Sequence, residues 1–242
     1  MIVAIPVLAG FVAECSAVAE PGWIELTAEK DLSVWKGSTA GWEFAEEVAL
    51  DPDNAKRLFP GGKGTILVNG RRGHGPDLVT REVFGDVDVH VEFLVPQRSN
   101  SGVKLMGLYE IQIYDSWGVK TPTASDCGGI YPRAELLPTY HHIDKGVPPK
   151  VNAAKKPGEW QTLDIGFQTP RFDKAGKKTA NARFVKVVLN GEVVHEDVET
   201  PWPTGHAWHN AESTKGPLLL QGDHGPVAFR NVRVRPLAEP GK

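Results

Sequence analysis

Cysteine and methionine are scarce, at two residues each in 242, and no run of twenty apolar residues occurs anywhere. The first shortage excludes a disulfide-dense scaffold, so stability must come from a hydrophobic core; the second excludes a transmembrane helix. Charge of one sign is lacking too, since 27 Lys and Arg stand against 30 Asp and Glu for a formal charge of -3. Such a surface has little with which to neutralise phosphates or an anionic bilayer, and nucleic acid is not an expected partner. Long helical periodicities are rare, whereas 26 Gly and 19 Pro punctuate short Val- and Ile-rich runs. That composition describes many strands joined by tight turns, at a length all-β domains commonly reach undivided.

Ile2 to Ala13 is almost uninterruptedly apolar yet too short to span a bilayer, and Ala17-Val18-Ala19 offers the small residues a signal peptidase needs. Basic residues before the apolar stretch are missing. Residues 1–19 are expected to be an export signal, leaving 20–242 as one β-sandwich domain in a secreted or periplasmic compartment. The alternatives are a buried N-terminal strand or helix, and lipidation at Cys15, which the preceding Glu14 disfavours. Cleavage would leave Cys127 as the single thiol, expected to be a small buried side chain because no Cys-His spacing accompanies it.

Val87, Val89, Val91 and Phe93 alternate with Asp86, Asp88, His90 and Glu92, the period of a strand with one face in the core. Val103 and Leu105 alternate with Gly102, Lys104 and Met106, and Tyr109, Ile111 and Ile113 with Glu110, Gln112 and Tyr114, so a hairpin turning near Gly107 is predicted. Phe184 to Leu189, Asn190-Gly191 and Val193-Val194 predict a second hairpin with a two-residue turn. Leu218 to Gln221 and Val227 to Val234 supply closing strands, the last expected deep in a sheet. Gly118 to Glu159, rich in proline and glycine, shows little periodicity and reads as a long loop wrapping the open end of a groove.

Glu110 and Gln112 present two polar side chains on one strand face. Asp115, five residues from Glu110, falls on the opposite face unless a β-bulge intervenes. Laminarinase-like retaining β-glucanases carry a bulged Glu-x-Asp-x-x-Glu strand; here Gln112 and Asp115 replace its second and third carboxylates, so that resemblance is partial. The histidines (His141, His142, His206, His209, His224) and Asp144 match no structural zinc spacing.

A resemblance covering most of the chain runs through Asn100-Ser101-Gly102-Val103, Tyr109 to Ser116, Cys127-Gly128-Gly129-Ile130-Tyr131, Pro157 to Thr162, Pro170-Arg171-Phe172-Asp173, Leu220 to Gly225 and Phe229-Arg230-Asn231. In order and spacing these segments resemble the 3-keto-disaccharide hydrolase family. Met106 stands where an Arg is expected, and Pro132 to Pro148 looks inserted. The resemblance implies a concanavalin A-like jelly-roll sandwich of two antiparallel sheets acting on glycosides oxidised at C3. A C3 ketone acidifies the C2 proton, so elimination of the C1 substituent and hydration give net hydrolysis. Under this reading Glu110 is the base, its pKa lifted by apolar neighbours, and His224 an acid, proton shuttle or metal ligand; Asp115 completes the catalytic set. Lys104, Gln112, Tyr131, Arg133, Trp160 and Gln221 are the expected sugar-binding residues, and a donor or a divalent ion is needed at the C3 oxygen. For Glu110 the alternative is a surface carboxylate paired with Lys104; for Trp160 it is a core position. A retaining glycosidase and a non-catalytic carbohydrate-binding module remain as rivals, and sugar, anomer and oligomeric state stay open.

Overall fold

The computed structural model describes residues 22–28 and 30–237; the expected export signal and Cys15 lie outside them. In chain order the first strands are β1 (Ile24–Glu25), β2 (Trp35–Lys36), β3 (Glu43–Asp51), β4 (Asn54–Val68), β5 (Leu78–Thr80), β6 (Val87–Leu94), β7 (Asn100–Leu105) and β8 (Tyr109–Tyr114). After β8 come β9 (Ala134–Glu135), β10 (His141–His142), β11 (Gln161–Gln168), β12 (Arg171–Phe172) and β13 (Lys178–Ala180). The chain closes with β14 (Ala182–Leu189), β15 (Glu192–Thr200), β16 (Leu219–Leu220) and β17 (Ala228–Pro236).

Eight strands form one antiparallel sheet in the order β15-β14-β11-β6-β17-β4-β3, with β1 on β17, and five form a second in the order β2-β5-β16-β7-β8. The two stack as a concanavalin A-like jelly-roll sandwich. Between them Val103, Leu105, Tyr109, Ile111 and Ile113 of the smaller sheet share one apolar cluster with Val89, Val91, Phe93, Leu163, Ile165 and Phe167 of the larger. The Phe167 ring lies 5.3 Å from Tyr109, a tilted aromatic contact that joins the sheets, and 5.1 Å from Phe184 on the neighbouring strand of its own sheet.

Alternation places each side chain. In β6 the valines and Phe93 are buried, while the charged face forms a cross-strand ladder: His90 lies opposite Asp164, Glu92 opposite Arg230 and Asp88 opposite Arg235. Asp164 Oδ1 is 2.6 Å from His90 Nδ1, Arg230 Nε 2.7 Å from Glu92 and Arg235 Nε 3.1 Å from Asp88. The β14–β15 hairpin turns on Asn190 and Gly191, with φ of 53° and 87° as a two-residue turn requires.

β8 departs from the expected one-sided burial. Five of its six residues are buried because the long segment returns along its open edge. Gly128 N donates to Gln112 O at 2.8 Å, Gln112 N to Gly129 O at 2.9 Å and Tyr131 N to Glu110 O at 3.1 Å. The segment thus pairs an edge strand that would otherwise expose its peptide groups, besides carrying its own β9–β10 pair.

Candidate active site

Register builds the site. Lys104 lies opposite Glu110, and Gly102 opposite Gln112. On the far side of β7, Leu219 faces Lys104, and Gln221 N donates to Gly102 O at 2.9 Å. Leu78 pairs with Leu220, so Asp77 falls beside Gln221. One row across the sheet therefore reads Asp77, Gln221, Gly102, Gln112, and the next reads Val79, Leu219, Lys104, Glu110, Tyr131. Both rows point away from Val103 and Ile111, which lie in the core.

Glu110 is 4% exposed. Its Oε2 lies 3.4 Å from Lys104 Nζ. A Cβ on residue 102 would stand 2.4 Å from Glu110 Oε1, so the glycine makes room for the carboxylate. Its backbone is anchored as well: Glu110 N donates to Thr204 Oγ1 at 3.0 Å, and that hydroxyl donates to Leu108 O at 3.1 Å. Burial pushes the Glu110 carboxyl above the usual carboxylate range; Lys104 and then His224 pull it down, and Asp77 pushes it up. Burial, a hydrogen bond with Tyr140 and the Glu110 charge together raise the Tyr131 phenol. The Tyr131 hydroxyl shares hydrogen bonds with the Tyr140 hydroxyl at 2.9 Å and His142 Nε2 at 3.1 Å.

The structure therefore brings Glu110, Lys104, Gln112, Gln221 and Tyr131 onto one face, with His224 within electrostatic reach. His224 is half-exposed, and its Nδ1 bonds Asp223 Oδ1, which leaves Nε2 as its free nitrogen. Asp115 does not join them. The β7–β8 register runs unshifted from Asn100 and Tyr114 to Leu105 and Tyr109, so no bulge turns Asp115 towards Glu110, and its Oδ2 accepts from Arg98 N at 3.0 Å. Trp160 is also elsewhere, packed on the outer face of the larger sheet with Arg230 4.1 Å above its ring. Arg133 is tied to Asp144 at 2.7 Å and lines, with Tyr131, Trp202 and Thr204, a cavity of about 250 Å³ beside the site. A larger trough of about 460 Å³, lined by Arg171, Lys178 and Arg183, contains none of the residues around Glu110, and each of those cations is held in an ion pair.

Asp77 and Thr204 were not legible as site residues, because each reaches Glu110 from a distant stretch of chain. Asn100 and Gly102 carried a signal, the alternation that already placed Lys104. Among the described residues no three His, Cys, Asp or Glu side chains converge as metal ligands. An ammonium 3.4 Å from the buried Glu110 carboxylate makes this donor set a poor fit for a divalent ion. Cys127 is buried, and burial pushes its thiol up to about 12, as an inert core side chain requires.

A family profile described as the 3-keto-alpha-glucoside-1,2-lyase-like domain matches residues 22–235. The chain belongs to that family. A solved structure of a protein from Parabacteroides distasonis ATCC 8503, provisionally classed as a glycosyl hydrolase, shares 28% identity at a TM-score of 0.63 and covers 90% of this chain and 84% of its own. A second from the same organism, classed likewise, has 21% identity and a TM-score of 0.56 over 89% of this chain and 99% of that one, and speaks for the fold alone. No curated protein matches. The lyase-like family is carbohydrate-active, and among the described residues no helix is long and apolar enough to cross a membrane.

Proposed function

We propose that the protein cleaves 3-keto-glycosides, taking the C2 proton with Glu110, expelling the C1 substituent and then adding water. The observation that carries this reading is a buried carboxylate of raised pKa in contact with a single ammonium. A C–H acid next to a ketone demands a stronger base than an exposed glutamate provides, and burial supplies that strength. As Glu110 takes the proton, the C2–H electrons form an enediolate whose negative charge sits on the C3 oxygen, where Lys104 is the donor at hand. Reforming the C3 carbonyl moves the electrons into a C1–C2 double bond and breaks the bond from C1 to the leaving oxygen. His224 protonates that oxygen through Nε2. Water then returns a hydroxyl to C1 and a proton to C2.

A retaining glycosidase would need a second carboxylate about 5 to 5.5 Å from Glu110, and Asp115 is engaged by Arg98 instead. The raised pKa of the buried Glu110 carboxylate favours an enzyme over a binding module, because carboxylates perturbed by desolvation beside a charge partner concentrate where protons are transferred. In D₂O, 3-keto-sugar released by the wild type should carry deuterium at C2 above a control of the free keto sugar, and Glu110→Gln should lower turnover on the order of 10²-fold or more. Cleavage without that label would sink the elimination route, and a folded protein that cleaves no glycoside would leave the binding module as the better account.

A further inference from the structure

Asp115, left outside the site around Glu110, lines a separate cavity of about 420 Å³ with Gln97, Arg98, Trp117 and Lys156. None of the residues around Glu110 lines it, and five residues of strand rise set Asp115 roughly 17 Å along β8 from that carboxylate's backbone. Trp117 is displayed there by a braced turn. Val119 N donates to Ser116 O at 3.1 Å, and Gly118, with φ of 81°, holds the left-handed position of a type II turn, which puts Trp117 at its outer corner. Asn152 Nδ2 donates to Ser116 O at 2.7 Å and to Val119 O at 2.9 Å, and Ser116 Oγ donates to Asp126 Oδ1 at 2.9 Å. The indole is nevertheless 54% exposed, a large apolar surface that an ordered turn holds in water.

The charges beside the indole are unmatched. Arg98 N donates to Asp115 Oδ2 at 3.0 Å, yet the Arg98 guanidinium meets no acceptor among the described residues. The Lys156 ammonium lies 5.2 Å from the centre of the Trp117 ring and likewise has no acidic partner among the described residues. Two cations against one carboxylate leave the cavity wall positive, in a protein whose formal charge is -3. A flat apolar platform beside a free guanidinium fork fits a ligand with an apolar ring face and a carboxylate on its edge. We propose that the Trp117 cavity is a second carbohydrate-binding site, which takes a uronate unit of an acidic glycan. The ring stacks on the indole, its carboxylate meets Arg98 and Lys156, and its hydroxyls reach Gln97 and Asp115 Oδ1. The volume lies within the range of about 300 to 1,000 Å³ that small ligands occupy. Such a site holds the protein on an acidic glycan while the groove at Glu110 stays free, and it does not depend on the reaction proposed there.

Calorimetry with tetragalacturonate at low salt should give binding with a Kd on the order of 1 mM or tighter, and maltotetraose, which lacks the carboxylates, should bind about 10-fold more weakly or less. Trp117→Ala should abolish binding of the acid. Arg98→Gln keeps the platform and should bring the two tetrasaccharides to within about threefold of each other. Both positions are exposed, so thermal midpoints should stay within about 2 °C of the wild type. Glu110→Gln should bind the acid as the wild type does. No binding by the wild type, binding unaffected by Trp117→Ala, or binding lost in Glu110→Gln would overturn the site. Equal affinity for a tetraglutamate peptide, which carries the charge without a ring face, would overturn it as well.

Discussion

Glu110 is raised by the same burial that destabilises its ionised form, so its basicity carries a measurable cost to folding. Its folded pKa lies above the ordinary value of 4.5, with desolvation as the largest cause. Below that ordinary value both folded and unfolded chains hold the proton. As pH climbs towards the raised value the unfolded chain releases its proton first, and stability falls. Gln cannot ionise. Glu110→Gln should therefore match the wild type near pH 4 and gain on it as pH rises above the ordinary value, by up to about 1.4 kcal/mol per pH unit until the raised value is passed. Urea titrations at three pH values measure this, and a stability gap that does not vary with pH would contradict it.

At the scale of strands, the β7–β8 hairpin determines what surrounds the carboxylate. It turns through Met106 and Gly107, whose φ values of 59° and 69° close a three-residue connection and lock Lys104 opposite Glu110. Two residues back from Lys104, Gly102 leaves the space that Glu110 fills. In Gly102→Ala the new methyl first meets the Glu110 side chain, Oε1 at 2.4 Å and Cδ at 3.0 Å, which can swing aside, so folding should change by no more than about 1 kcal/mol. The displaced carboxylate should nevertheless cost on the order of 10²-fold in kcat. Parallel measurement of chemical stability and turnover checks this; an equal loss in both would assign Gly102 to folding alone. The hairpin was legible in the alternation of Val103, Leu105, Ile111 and Ile113. The pairing of residues 128–131 with β8 was not, because that segment has no period and gains its order only from an edge strand contributed elsewhere in the chain.

Across the whole molecule, His195 joins the two parts that hold the site. It sits buried on β15 of the larger sheet, and its Nε2 donates to Gly128 O at 2.7 Å, on the segment that covers β8. Burial lowers its pKa below the ordinary 6.5. The unfolded chain therefore takes up a proton first as pH falls below about 6.5, and the stability present above that value is progressively lost, opposite in sign to the effect of Glu110. In a Glu110→Gln background the stability should decline between pH 6.5 and 5, and adding His195→Gln should flatten that decline; an unaltered slope in thermal or urea titration would remove His195 as its source. From residue types and their period alone followed an all-β chain, the strands β6, β7, β8 and β14–β15, and a common face for Lys104, Glu110 and Gln112, because strand alternation is a local property of the backbone; the two-sheet sandwich was implied by the family resemblance. Tertiary structure decided the rest. It buried Glu110 under a returning segment, set Asp77, Gln221 and Tyr131 in its rows, and left Asp115 and Trp160 outside, because desolvation and cross-strand neighbours depend on which distant strands pair and in what register.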